Sequence, residues 1–146
     1  MKLSEIQDEW LKDSSIDELN LGRESTRVPI LHSKYLVQLS KVKLQHRKAE
    51  SDYYSTRRLK YRYYRGEMTK EELTVLEWSQ FQGNKPLKNE MDEFLQCDAD
   101  LIILQDKVEY FKTVIFTLEQ ILRSINSRTW DIKTAVEYLK FTNGAM

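Results

Sequence analysis

Between Tyr53 and Arg65 the chain reads YYSTRRLKYRYYR, with five tyrosines, five basic residues and no acid. The chemistry of such a set is recognition. Cations meet phosphates, and exposed rings offer faces on which unpaired bases stack, at roughly 1–3 kcal/mol per base. A flexible single-stranded nucleic acid presents both groups. The same residues also suit a helix with its tyrosines packed inward and a solvated basic face. The tract alone leaves both readings open.

Those side chains need an element to align them, and the sequence predicts a long helix. From Pro29 to Arg65 no helix breaker intervenes, and Leu31, Tyr35, Leu39, Val42, His46, Ala49 and Tyr53 recur every three or four residues as one inward stripe. Arg58, Arg62 and Arg65 share a face, so the helix gathers cations into a ridge. Gly66 is expected to stop it. Upstream, a first helix from about Ser4 ends at Ser14 and Ser15, Asp17 caps a second short helix or the lead-in to a longer one, and Pro29 predicts a kink or a fresh helix start. Downstream, Thr69 and Glu72 form a capping-box signature for a short acidic helix over about 69–80. The FQGNKPL loop (81–87) has turn chemistry.

The next predicted helix, about 88–126, carries an apolar seam through Leu101, Leu104, Val108, Phe111, Ile115, Leu118, Leu122 and Ile125. Ile102, Ile103, Tyr110, Val114, Phe116 and Ile121 add apolar surface on other faces. So wide a seam in a chain with few other long apolar helices favours self-association over a monomeric bundle. A last helix, about 130–141, adds Trp130, Val136 and Leu139 to that surface. The eight seam residues from Leu101 to Ile125, with Trp130, Val136 and Leu139, form the predicted oligomerisation set. The expected organisation is one all-α structural unit in three stretches. These are an N-terminal region (1–66) holding the basic segment (34–65), an acidic helix and loop (67–87), and C-terminal apolar helices (88–146).

Charge is segregated although the 146 residues sum to zero. Residues 34–65 carry a net +8 and residues 67–106 a net −7. The acidic stretch therefore pairs with the basic one, with a partner, or with neighbouring subunits. A single cysteine, Cys97, excludes an intrachain disulfide and fits a reducing compartment. The N-terminus has acids where a secretory signal needs an apolar stretch, and no run of eighteen apolar residues spans a membrane. Four glycines and two prolines are too few for a strand-and-turn protein. No phosphate-binding loop or dinucleotide motif is present, and one Cys with two His argues against a Cys/His zinc site. Asp98 and Asp100 stand two apart and point to different sides of a helix, which suits a solvated or N-terminal helix face and not a metal pair. No catalytic residues, metal or cofactor are predicted.

Four segments, in order, resemble the UvsY family, recombination mediators of T-even-like phages. Leu59-Lys60-Tyr61-Arg62 followed by Tyr63-Tyr64-Arg65-Gly66 resembles its LKAR-type DNA-binding motif. LSEIQDEWLKDSSID (3–17) is similar to its opening helix, Ser33-Lys34-Tyr35-Leu36 to its SKWL segment, and residues 125–133 to the segment before its last helix. Tyr61 stands where that motif has a small residue, and residues 67–90 depart from the pattern. The resemblance implies a non-catalytic, extended helical subunit closing into a ring of six or seven copies through C-terminal helices. It implies binding to single-stranded DNA, to a RecA-like phage recombinase and to the phage single-strand-binding protein, in the cytoplasm of the infected host. On that basis Lys60 and Arg62 are the first phosphate contacts, followed by Arg58, Arg65, Arg57 and Lys48, with Tyr61 and Tyr64 as stacking rings.

Two further readings compete. One is a helical oligomeric adaptor whose basic ridge meets its own acidic segment without binding DNA. The other is a membrane-surface helix, which the ridge disfavours because it lacks a broad apolar face opposite.

Overall fold

A computed structural model describes residues 2–144. It is all-α, with no strand among those residues. The helices are α1 (Leu3–Asp13), α2 (Leu21–Tyr64), α3 (Lys70–Leu76), α4 (Lys88–Gln96), α5 (Ala99–Asn126) and α6 (Arg128–Thr142). One compact unit comprises residues 1–44 with 111–146, and the other residues 45–110.

In the first unit, the inward stripe of α2 and the C-terminal half of α5 meet α1. Ile6, Leu31, Tyr35, Leu39, Val42, Val114, Leu118, Ile121, Leu122 and Ile125 form its core, with Trp10 packed against it. Polar ties set the register. Tyr35 donates to Asp13 at 2.8 Å, below an edge-to-face contact with Trp10. Lys34 reaches Asp13 at 2.6 Å, and Arg27 reaches it at 3.2 Å. Burial pushes the Asp13 carboxyl up, but its bonds from Lys34 and Tyr35 and the nearby cations outweigh that and hold it below the ordinary range. Arg128 is buried and donates to the Ser14 and Ser15 carbonyls just past α1 and to Glu24.

Pro29 neither starts nor splits a helix. α2 begins eight residues earlier, after Asp17 closes a turn by accepting the Leu19 amide. The proline is tolerated because it and Ser25, whose carbonyl loses its helical donor, both face solvent. Gly66, at φ +69°, ends α2 as expected, with the Glu67 amide bonded back to the Arg62 carbonyl.

The predicted assembly seam is filled from within the chain. Leu118 and Ile125 have no exposure, and Leu101, Val108 and Leu122 are buried too. Leu104, Phe111 and Ile115 are half-buried. Periodicity identified the apolar face correctly, but its cover is intrachain, so the buried members are not available to another subunit. The exposed apolar groups lie elsewhere and include Ile103 and Phe116 on α5 and Trp130, Tyr138, Leu139 and Phe141 on α6.

The predicted 88–126 helix is two helices. Cys97 and Asp98 separate them, and the Asp98 carboxylate accepts the Leu101 amide at 3.1 Å as the cap of α5. The Thr69–Glu72 capping box forms as predicted, but α3 stops at Leu76, where Glu77 turns left-handed at φ 58°.

Candidate nucleic-acid interface

The site lies in the unit of residues 45–110. The last turns of α2 carry the basic aromatic tract, and α3, the 77–87 segment, α4 and the start of α5 surround it. Met91, Leu95 and Leu101 form the local core, with Tyr53 and Tyr64 packed on it.

Lys60 does not face solvent. It is 7% exposed, and its ammonium lies 3.2 Å from Asp98 and 2.8 Å from Asp100. The same nitrogen sits 4.2 Å from the centroid of the Trp78 ring, a cation–π contact. Tyr64 donates to Asp98 at 2.6 Å, and its ring meets Tyr63, Phe81 and Phe94 edge-on. Burial, together with the bond to Asp98 and that carboxylate's charge, pushes the Tyr64 hydroxyl well above its usual range. The first-named phosphate contact and one of the two stacking rings are thus parts of an internal network. The cause is the Asp98 cap, which brings a carboxylate against the tract.

The other predicted contacts fall into two groups. Arg62 is half-buried and grips Glu72 through both terminal nitrogens, at 2.9 and 3.1 Å. That grip holds the Glu72 carboxyl below its ordinary range. Arg57 lies 3.6 Å from Asp92, and Arg65 lies 3.0 Å from Glu67. Both are surface pairs, easily exchanged for other anions. Arg58 and Lys48 are exposed and outside any ion pair among the described residues. Of the three partners the segregated charge allowed, the chain's own acids thus take four of the tract's five cations.

Arg58, Tyr61 and Arg65 stand at i, i+3 and i+7, so one face of α2 presents a ring between two guanidinium groups. Tyr61 is 38% exposed, and the Arg65 guanidinium lies 5.6 Å from its centroid. Beside it runs a groove of about 480 Å³ lined by Tyr61, Arg65, Lys85, Pro86, Lys88 and Met91. Lys85 and Lys88 were missed because they lie 20 and 23 residues beyond the end of the tract at Arg65. The available signal was one lysine within the FQGNKPL turn and a second directly after it.

A model of the family described as "Recombination, repair and ssDNA binding protein UvsY" matches residues 9–145. The recombination protein uvsY of Enterobacteria phage T4 is 25% identical over 144 residues, 99% of each chain. Two crystal structures of the bacteriophage T4 recombination mediator protein UvsY are similar at 25% identity and a TM-score of 0.84. The lattice type II structure covers 98% of both chains. The lattice type IV structure covers 97% of this chain and 99% of that one. A match over residues 9–145, with the fold kept from end to end, places this chain in the UvsY family of recombination, repair and single-stranded-DNA-binding proteins.

Proposed function

We propose that this chain is a non-catalytic recombination mediator. It binds single-stranded DNA and promotes loading of a RecA-like phage recombinase onto DNA covered by the phage single-strand-binding protein. The processes served are phage recombination, repair and recombination-dependent replication. The observation that carries this reading is the family match over residues 9–145. The exposed cations of residues 45–110 support it. Arg58 and Lys48 are the leading phosphate contacts. Arg57, Arg65 and Arg62 join them when their carboxylate partners are exchanged for phosphate, while Lys60 and Tyr64 act by holding the tract in place.

Assembly as a homo-hexamer or heptamer follows the family resemblance, with exposed Trp130, Tyr138 and Phe141 supporting an apolar contact surface. A ring repeats the cationic face around an axis and multiplies weak phosphate contacts into avidity. The adaptor reading retains one observation in its favour, the pairing of the tract with its own acids.

Fluorescence anisotropy of a labelled oligo-dT over a salt series, with native mass on the same sample, separates the two. Salt-sensitive binding by a six- or seven-subunit species supports the mediator, and faster recombinase assembly on protein-covered DNA completes the case. An intact oligomer that leaves the strand free at low salt supports the adaptor.

A further inference from the structure

We infer that the groove between the end of α2 and the start of α4 is a single-stranded nucleic-acid subsite, in which an unpaired base stacks on Tyr61 while Arg65, Lys85 and Lys88 hold the flanking phosphates. This rests on the reading of the chain as a single-strand binder and gives that reading a location.

Three observations carry it. The lining has three cations, one exposed ring and no acid. Its volume, about 480 Å³, lies in the range of roughly 300–1,000 Å³ typical of small-ligand sites. Lys85 and Lys88 also make no ion pair among the described residues, unlike most cations of the Tyr53–Arg65 tract. Their charge is therefore uncompensated. The one competing acid, Glu67, holds Arg65 in an exposed pair that a phosphate can displace.

The groove is also positioned by the fold. Gly66 ends α2 at φ +69°, and the Lys85 stem lies beside it, since a Cβ there would be in ordinary van der Waals contact with Lys85 Cε at 3.7 Å. Pro86 fixes the backbone between the two lysines, and α4 starts at Lys88. The two lysines thus approach Tyr61 and Arg65 from a separate segment. A duplex hides its base faces, so a ring between cations selects unpaired strands. Stacking accepts any base, so the subsite is indifferent to sequence.

The test uses the full-length protein and a labelled oligo-dT across a salt series. Each lost single-strand phosphate contact reduces the slope of log affinity against log salt by about 0.7. Lys85→Gln/Lys88→Gln, both at exposed positions, is expected to reduce the slope by about 1.4. Tyr61→Ala is expected to weaken binding about five-fold or more with the slope unchanged, and Tyr61→Phe to bind as wild type. On an abasic strand, Tyr61→Ala and wild type should bind alike. If the wild type binds and the double lysine variant keeps its slope, the subsite is wrong while single-strand binding stands. Equal losses in Tyr61→Phe and Tyr61→Ala would likewise overturn the stacking role. A wild type that leaves the strand free at low salt removes both the subsite and the function it rests on.

Discussion

The ammonium of Lys60 lies 3.2 Å from the carboxylate of Asp98, and both side chains are almost wholly out of water. Removing one member of a buried pair leaves an uncompensated charge, at a cost of about 3–5 kcal/mol. Asp100, half-exposed on the other side of the ammonium, places the effect of Lys60→Ala near the lower end. Urea denaturation should show that loss, and Lys60→Met/Asp98→Asn, which removes both charges but keeps an acceptor for the Leu101 amide and the Tyr64 hydroxyl, should recover much of it. In DNA titrations of Lys60→Ala, the salt slope should stay at the wild-type value even where affinity falls. A stable variant with a reduced slope would return Lys60 to the phosphate contacts.

Acid should weaken the same network. Burial raises the Asp98 carboxyl, but bonds from Tyr64, the Leu101 amide and Lys60, with the Lys60 charge, outweigh that and depress it overall. In the acid range the unfolded chain then binds more protons than the folded one, so stability rises with pH there. The contribution is present above the ordinary aspartate value of 3.8 and is lost as pH falls through the lower folded-state value. Urea midpoints taken from about pH 6 to about pH 3 should fall for the wild type. They should fall less steeply for Asp98→Asn. The residual slope comes from the other depressed carboxyls, Asp13 with Lys34, Tyr35 and Arg27 around it, Glu72 bonded to Arg62 and Asp17 bonded to Asn20.

What was legible in the sequence follows from what periodicity encodes. Spacing identified the buried face of α2 from Leu31 to Ala49, and Gly66 and the Thr69–Glu72 box marked helix ends by local chemistry. Spacing also found the apolar face of α5, but a repeat does not say what covers it; here α1 and α2 pack on its C-terminal half and α4 on Leu101. Composition likewise gave a basic and an acidic stretch without saying which charges meet. Asp98 decided that. It was legible only as one of two aspartates on different sides of a helix, and it both caps α5 and draws Lys60 and Tyr64 inward. The segments that carry the family resemblance include Asp13, Lys34, Tyr35, Lys60 and Arg128, and in this structure each of these ties one helix to another part of its own unit.

Arg128 makes a further prediction. Its guanidinium spans the Ser14 and Ser15 carbonyls and the Glu24 carboxylate, at 2.8 to 3.1 Å. Lysine has no planar fork and cannot reach all three in that geometry. Arg128→Ala should cost about 3–5 kcal/mol. Arg128→Lys should recover only part of it in thermal or urea unfolding. Recovery to wild-type stability would show that charge alone suffices there.

Pro29 predicts an improvement. A helix-interior proline costs about 3 kcal/mol relative to alanine. Here water at the exposed Ser25 carbonyl offsets part of that. Pro29→Ala restores the missing donor on a solvent face, so it should raise stability by about 1–2 kcal/mol without disturbing the core. A destabilised variant would mean that the proline fixes a bend which the packing of α2 requires.

Self-association should depend on different residues from those that hold the subunit together. Leu118 is fully buried in the core of its own chain. Leu118→Ala should therefore cost about 2–5 kcal/mol of subunit stability through the cavity it leaves. Trp130 and Phe141 are 68% and 81% exposed, and Tyr138 and Leu139 line a groove of about 320 Å³ with Glu18 and Asp131. Substituting exposed apolar groups touches little within the subunit, so Trp130→Asp/Phe141→Asp should leave helical content intact. If α6 contacts another copy, the same change places two carboxylates in an apolar interface, and native mass should fall toward the monomer. Oligo-dT affinity should then fall with it, because avidity requires several copies of the cationic face on one strand. An oligomer of unchanged mass would move the contact to another exposed apolar surface, of which Ile103 and Phe116 on α5 are the next to test.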